Sequence, residues 1–334
     1  MGNKNTNLHK AKRGRDDEFY TTYQTVESEL CHYKAQFEGK SVLCNSDNPY
    51  TSNFCKYFID NFNNLGLKRL VCTSYNKTYT HHQATLFDQR ILQRNDDATA
   101  SGLVLDIDSV DDTNRDNVYC KITNLKSNGD FRSNECTEYL KECDIVVTNP
   151  PFSLFREHVA LTLKHKKKFL IIGNQNALTY KEIFPLIQSN KIWTGYKFGE
   201  MKFRVPDDSE PRATRYWVDE TGQKWRSLGN AMWLTNLDNE RRHRNLTLTY
   251  KFDPNIHRHY DNYDAIHIRN IGEIPFDFFG IMGVPITIIS MYNSEQFEIV
   301  GEANHGSDSK YDIFKPILNG KEIFKRILIR NKTL

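Results

Sequence analysis

The chain has 334 residues, enough for about two domains of ordinary size or one large α/β domain with insertions. Hydrophobic residues make up 38% and aromatics 12%, which excludes a disordered chain, and 45 Lys and Arg against 42 Asp and Glu leave a net charge of only +3. Nucleic-acid binding by bulk positive charge is thereby excluded, so such a partner has to be met by a local patch. The seven cysteines (Cys31, Cys44, Cys55, Cys72, Cys120, Cys136 and Cys143) are odd in number and contain no CxxC pair. They read as reduced, mostly buried thiols of a cytosolic protein, not as a disulfide framework or a zinc ribbon. No apolar stretch follows the basic N-terminus and no window approaches ~18 apolar residues, so neither a signal peptide nor a membrane span is expected.

In chain order, Lys4, Lys10, Lys12, Arg13 and Arg15 make residues 1–16 a short basic arm, either a solvated tail or a phosphate-contacting one. From Glu18 to Phe37 the apolar residues Phe19, Tyr23, Val26, Leu30, Tyr33 and Phe37 recur at three- and four-residue steps, a helix pattern. Ser41–Cys44 reads as a strand, Ser52–Asn64 as a helix and Arg69–Tyr75 as a strand. Residues 76–118 are polar and irregular and read as a surface excursion. A helix at Asn134–Glu142, a strand at Asp144–Thr148, a helix from Phe152 to His165 and a strand at Lys168–Gly173 follow. Apolar strands separated by helices imply a parallel sheet with helices on its faces, a doubly wound Rossmann-like core.

From Gly195 the texture changes to alternating charged and aromatic residues, which reads as an inserted, partly β-structured module over 195–275. Gly283–Ser290 and Phe297–Val300 read as an antiparallel hairpin closing the sheet, and 321–332 as an apolar and basic alternation at the surface. The expected organisation is a core of residues 17–194 and 276–334 interrupted by that module. The basic run Lys164–Lys168 reads as the cap of a helix C-terminus in preference to a phosphate patch. His81 with His82, and His257 with His259, lack further ligands at metal spacing, so exposed loop histidines and no metal are expected.

The sharpest feature is Asn149-Pro150-Pro151-Phe152, directly after the strand ending at Thr148. Two consecutive prolines cannot lie inside a buried strand, because each lacks the donor that the ladder needs. They therefore build a rigid turn at the strand's carboxyl end, where ligands bind in an open α/β sheet. Proline at a first helical position is also a purely structural choice. The pattern (Asp/Asn/Ser)-Pro-Pro-(Phe/Tyr/Trp), however, arises by chance in roughly one chain of this length in a hundred, and its place after an apolar strand favours function.

The residue types suit one chemical problem. An exocyclic amine on a nucleobase is a poor nucleophile, because its lone pair is delocalised into the ring. The side-chain oxygen of Asn149 and the carbonyl of Pro150 can each accept one amine hydrogen. This draws the nitrogen toward tetrahedral geometry and aims its lone pair at an incoming methyl group. The proline rings fix both acceptors, and Phe152 offers a ring face to a base extruded from a duplex.

DIVVTNPPFSLFREHVALTLKHKKKFLIIGN and ALTYKEIFPLI resemble the EcoRI-type adenine-specific DNA methyltransferases. So do LHKAKRGRDDEFYTTY, VLCNSDNPYTSNFCKYFIDNFNNLGLKRLV, DNYDAI, GIMGVPIT and NSEQFEIVG. The resemblance is colinear over most of the chain and weakest over 76–118 and about 200–245. It implies a Rossmann-like S-adenosylmethionine-dependent methyltransferase fold, a mixed, mostly parallel sheet closed by the antiparallel hairpin, with an inserted target-recognition module. It further implies N6-methylation of a flipped-out adenine in a short DNA sequence, with S-adenosylmethionine becoming S-adenosylhomocysteine.

Carried over residue by residue, Asn149, Pro150, Pro151 and Phe152 match the catalytic motif. Asp17-Glu18-Phe19-Tyr20-Thr21 matches a motif whose Tyr20 and Thr21 would lie beside the methionine part of the cofactor. Gly129-Asp130-Phe131 resembles one in which the acid accepts from the cofactor's adenine amine and the aromatic packs on its ring; an Asp there also reads as a turn or cap residue. The usual glycine-rich turn after the first strand is replaced by Cys44-Asn45-Ser46-Asp47-Asn48-Pro49, a glycine-poor version that EcoRI-type enzymes share. Asn45, Asp47 and Ser52 are the cofactor candidates there. The usual ribose-binding acid is missing from Thr73-Ser74-Tyr75-Asn76, and Tyr75 is expected to pack on the adenine.

The 195–275 module, rich in Arg, Lys and aromatics, makes double-stranded DNA the expected partner, a structural cap being its other reading. Lys10, Lys12, Arg13, Arg212, Arg215, Arg226, Arg241, Arg242 and Arg244 are candidates for DNA contacts. Asn-Pro-Pro-(Phe/Tyr) also serves RNA adenine-N6 methyltransferases and enzymes that methylate glutamine amides in release factors, and a catalytically inactive DNA-binding relative is a further reading. The protein expected is a cytoplasmic monomer, encoded by a bacterium, plasmid or phage, that protects DNA from a cognate restriction endonuclease and has no membrane association.

Overall fold

A computed structural model describes residues 19–75, 101–207, 209–303 and 315–332. Lys10, Lys12, Arg13, Asp17, Glu18 and the His81-His82 pair lie outside the described residues. The chain divides into two compact units, one of Met1–Gln175 with Gly199–Leu237 and one of Asn176–Phe198 with Asp238–Leu334.

The first unit is built on a large mixed sheet. Its strands are β1 (Tyr20–Thr21), β2 (Ser41–Cys44), β3 (Arg69–Ser74), β4 (Leu103–Ile107), β5 (Thr123–Asn124), β6 (Ile145–Thr148), β7 (Lys168–Asn174), β8 (Trp193–Arg204, within this unit from Gly199), β9 (Tyr216–Val218) and β10 (Lys224–Thr235). The order is β1-β8-β10-β7-β6-β2-β3-β4-β5, with β9 on β10. The centre, β3-β2-β6-β7, is parallel. Its strands read as continuous apolar runs because both faces are covered; Val42, Leu43, Val146, Val147, Leu70 and Leu170 are fully enclosed. Burying each such side chain contributes roughly 1.5–3 kcal/mol.

Helices α1 (Tyr23–Leu30), α2 (Asn53–Asp60), α3 (Asn134–Glu142) and α4 (Phe155–Lys164) connect these strands. Ser52 and Ser133 cap α2 and α3, each hydroxyl accepting a backbone N–H in the first turn. Asp144 accepts from the Ser41 N–H and hydroxyl at 2.9 and 2.7 Å, which pins the starts of β2 and β6 side by side. β2 thus lies between β3 and β6, and the chain reverses its direction of travel across the sheet at the β2–β6 boundary.

The second unit contains a four-stranded sheet, β11-β12-β16-β13, made of Ile266–His267, Met282–Val284, Arg326–Asn331 and Phe297–Ala303. A two-stranded ribbon, β14 (Ile317–Leu318) with β15 (Lys321–Glu322), and the short helix α5 (Phe184–Gln188) are further elements among its described residues.

Several expectations are corrected here. Gly283–Ser290 and Phe297–Val300 do not form a hairpin: β12 and β13 each pair antiparallel with β16, and Ile286–Met291 is a 3-10 helix. Pro285 is the cause, since it has no N–H to continue β12. The strand flanking the parallel centre on the β7 side is instead β10, antiparallel with Trp233 opposite Ile172. Residues 76–118 are not all excursion, because Leu103–Ile107 runs antiparallel to β3. The tail is not superficial either, as Ile327, Leu328 and Ile329 of β16 are buried. Residues 195–275 are divided: Gly199–Leu237 packs with the first unit because β8 and β10 are strands of its sheet. His257 is buried, its Nδ1 accepting from the Asp253 N–H and its Nε2 donating to the Glu273 carbonyl. Five of the seven cysteines are buried, Cys31 and Cys120 being exposed.

Candidate active site

The strand order places the carboxyl ends of β2 and β6 side by side, so Asn45–Ser52 and Thr148–Phe152 meet at one edge of the first unit. Asn149 is half-buried there. Its Nδ2 donates to the Phe19 carbonyl at 2.7 Å and to Thr21 Oγ1 at 3.2 Å, while its Oδ1 is buried without a protein partner. A buried amide oxygen without a donor costs about 1–3 kcal/mol, so its persistence marks a place for one. The two prolines leave the strand ladder, and Phe152–Leu154 form a single 3-10 turn leading into α4. Phe152 stacks on Phe19 at 5.4 Å between ring centres, and the Arg226 guanidinium lies 5.1 Å over Phe19.

Asp47 closes the turn from within. Ser52 Oγ donates to its Oδ1 at 2.7 Å and Thr148 Oγ1 to its Oδ2 at 2.5 Å, so one carboxyl ties the β2 turn to the α2 cap and to the residue before Asn149. Burial pushes this carboxyl up to about 8, and Cys55 nearby adds to the rise; the two hydroxyls pull the other way. Asn45 is equally buried, its Oδ1 accepting from His158 Nε2 at 2.8 Å. That bond puts the ring proton on Nε2 and leaves the buried Nδ1 bare. Burial lowers His158 to about 4, so the ring is neutral at neutral pH. Phe131, also buried, meets it edge-on at 5.0 Å.

Asp130 and Phe131 reach this edge because Gly129 permits it. Gly129 has φ +79° and lies so close to the end of β3 that a Cβ would overlap the Ser74 carbonyl oxygen. Tyr75, the residue after Ser74, is 49% exposed. Arg132 binds both oxygens of Asp130, at 2.9 and 2.7 Å, and holds the carboxyl below its ordinary range. The Arg132 N–H also donates to Asp130 Oδ1, so the residue does form the turn that is its plainer reading. Tyr20, on β1, is 40% exposed, and Thr21 beside it is buried.

The basic candidates separate by environment. Arg215, exposed and at φ +56°, lays its guanidinium where a Cβ on Gly229 would sit. Arg212 is exposed nearby in sequence, and Arg226 is half-buried. In the second unit Arg241 donates to the Tyr196 carbonyl, and Arg244 faces Glu240 at 3.4 Å while staying largely exposed. Arg242 stacks 3.5 Å from the Trp193 ring centre, binds Asp238 and Asn190, and is 15% exposed, so its guanidinium is consumed by packing.

A family-wide sequence profile described as "Adenine-specific methyltransferase EcoRI" matches residues 7–332. The chain belongs to this family. The Type II methyltransferase M.EcoRI of Escherichia coli is 43% identical over 331 residues, which cover 98% of this chain and 97% of that protein. M.MgeORF184P of Mycoplasma genitalium is 35% identical over 88% of this chain and 85% of its own, and M.MpnI of Mycoplasma pneumoniae 34% over 88% and 84%; both are likewise described as Type II methyltransferases. No solved structure matches the chain.

In this EcoRI-family methyltransferase, four residues outside the expected site residues shape the edge. Phe19 acts through its backbone carbonyl and its ring, and Thr148 looked like the last residue of a strand. His158 sat unremarked on α4, and Asn53 donates to the Thr21 carbonyl at 2.7 Å. A signal exists only for His158, the one titratable residue on the buried face of α4, beside Phe155, Val159 and Thr162. Among the described residues no grouping of His, Cys, Asp and Glu suits a metal ion, and no helix is long and apolar enough to cross a membrane.

Proposed function

We propose that this adenine-specific DNA methyltransferase transfers a methyl group from S-adenosylmethionine to N6 of an adenine flipped out of the duplex, by direct in-line attack. The observation that carries the reading is the Asn149 amide, with its nitrogen held and its buried oxygen unpartnered. The parallel centre with its reversal between β2 and β6 supports a Rossmann-like core.

The residues at this edge suit S-adenosylmethionine: the turn holds an acceptor without a protein partner, Asn149 Oδ1, and Tyr75 and Asp130 keep exposed surface for an adenosine. Tyr20 would border its methionine part, while Asn45, Asp47, Ser52 and Phe131 shape the turn from behind. When bound, the cofactor supplies a methyl group on a sulfonium, which departs as a neutral thioether. Asn149 Oδ1 and the Pro150 carbonyl accept the two hydrogens of the adenine amine, which localises its lone pair. Phe152 gives the base the ring face turned away from Phe19. The amine's proton leaves to solvent after transfer.

Arg212, Arg215, Arg226 and Arg244 are proposed as the DNA contacts among the described residues, the first three on Gly199–Leu237 of the first unit. The Type II names of the relatives support protection of that site from a restriction endonuclease. The direct test is Asn149→Ala. Turnover on DNA should fall about a thousandfold, with cofactor affinity by calorimetry nearly intact; an active variant would remove the mechanism.

A further inference from the structure

The side-chain amide of Asn149 has two ends, and only one of them serves an amine. The target presents hydrogens, so the amide has to present oxygen; turned by 180° it would oppose them with its own N–H donors. Asparagine does not choose by itself, because the terminal torsion of an amide is broad and roughly two-fold. Here the choice is imposed from 130 residues away in sequence. The Phe19 carbonyl lies 2.7 Å from one end of the amide and Thr21 Oγ1 lies 3.2 Å from the same end. A backbone carbonyl only accepts, so the end that faces it is the nitrogen, and the oxygen is turned the other way.

The clamp is itself fixed. Asn53, the first residue of α2, donates to the Thr21 carbonyl at 2.7 Å, and β1 pairs with β8 in the register Tyr20–Arg204 and Thr21–Phe203. Thr21 is 5% exposed, so its hydroxyl is committed to the interior. We propose that Phe19 and Thr21 are positioning residues that lock the Asn149 amide with its oxygen toward the target amine. For Thr21 this differs from the cofactor contact implied by resemblance, and the two roles are separable. The inference rests on the reading of Asn149 as the acceptor for that amine.

The test compares Thr21→Val, which keeps the shape and loses the acceptor, with Thr21→Ser, which keeps the acceptor. Single-turnover methyl transfer is measured with saturating DNA and S-adenosylmethionine, beside cofactor Kd by calorimetry. Thr21→Val should slow transfer on the order of tenfold with cofactor Kd within about twofold of the parent, and Thr21→Ser should restore the rate. Asn53→Ala, which loosens the clamp without touching Asn149, should lower the rate in the same direction and serves if Thr21→Val fails to fold. A weakened cofactor Kd with an unchanged saturated rate would assign Thr21 to the cofactor and overturn the clamp, as would unchanged values of both. Asn149→Ala run in parallel keeps the two readings apart: if it is inactive while Thr21→Val is normal, only the clamp fails.

Discussion

Asp47 looks like a ligand and behaves like a rivet. A carboxylate in a turn at the carboxyl edge of a parallel sheet invites a cofactor role, yet both of its oxygens are taken by Ser52 and Thr148. Its titration gives the fold a pH signature. The folded carboxyl at about 8 holds its proton over a window in which the unfolded one, near 3.8, has lost it. Stability is therefore shed as pH rises toward 8. His158, neutral down to about 4 when folded and near 6.5 when unfolded, has the opposite slope between those values. The two offset each other up to about pH 6.5; above it the neighbouring Cys55 thiol, which burial raises but hydrogen bonds with Cys44 and Cys72 bring down to about 6, opposes Asp47, so only comparison with a variant isolates the carboxyl. Urea midpoints of the parent should therefore fall between pH 6.5 and 8 more than those of Asp47→Asn, whose amide does not titrate. Parallel curves for the two proteins over that interval would show that Asp47 is already ionised throughout.

At the level of elements, strands ran close to their sequence signal where both faces are covered. Ser41–Cys44 and Ile145–Thr148 are continuous apolar runs bounded by polar residues, and their placement follows from that alone. β4 was hidden because Leu103–Ile107 alternates with an acid and lies in polar surroundings, so its strand character depends on β3 being beside it. β16 was hidden by Arg326 and Arg330, which flank the buried Ile327–Ile329 and are themselves half-buried. β10 is where shape and charge meet. Its Gly229 leaves the space that the Arg215 guanidinium fills. An added methyl group there displaces the flexible end of the arginine and not the strand. If Arg215 binds a phosphate, Gly229→Ala and Arg215→Ala should each lower the salt dependence of DNA affinity by about one unit of log K per log salt, without relaxing sequence choice. An unchanged salt slope in both would remove Arg215 from the interface.

On the scale of the whole molecule, the catalytic turn was legible because two prolines after an apolar strand have few structural uses. What surrounds it was not, because Phe19, Asn53, Asp47 and Thr148 come together only through the strand order β3-β2-β6-β7 and the return of β1 to the same edge. The division into two units was also beyond the sequence. The shift in composition after Gly195 marks a change of texture, whereas the chain re-enters the first unit as β8 and β10 and leaves it again at Leu237. A near-neutral net charge suits this arrangement, since an enzyme that must release its DNA product needs local, not bulk, positive charge. The measurement that tests the account most directly is sequencing of modified bases in DNA from a host expressing this chain, beside a host expressing Asn149→Ala. N6-methyladenine confined to one short sequence, and absent with the variant, is the predicted result. DNA with no such mark, or a mark on cytosine, would contradict it.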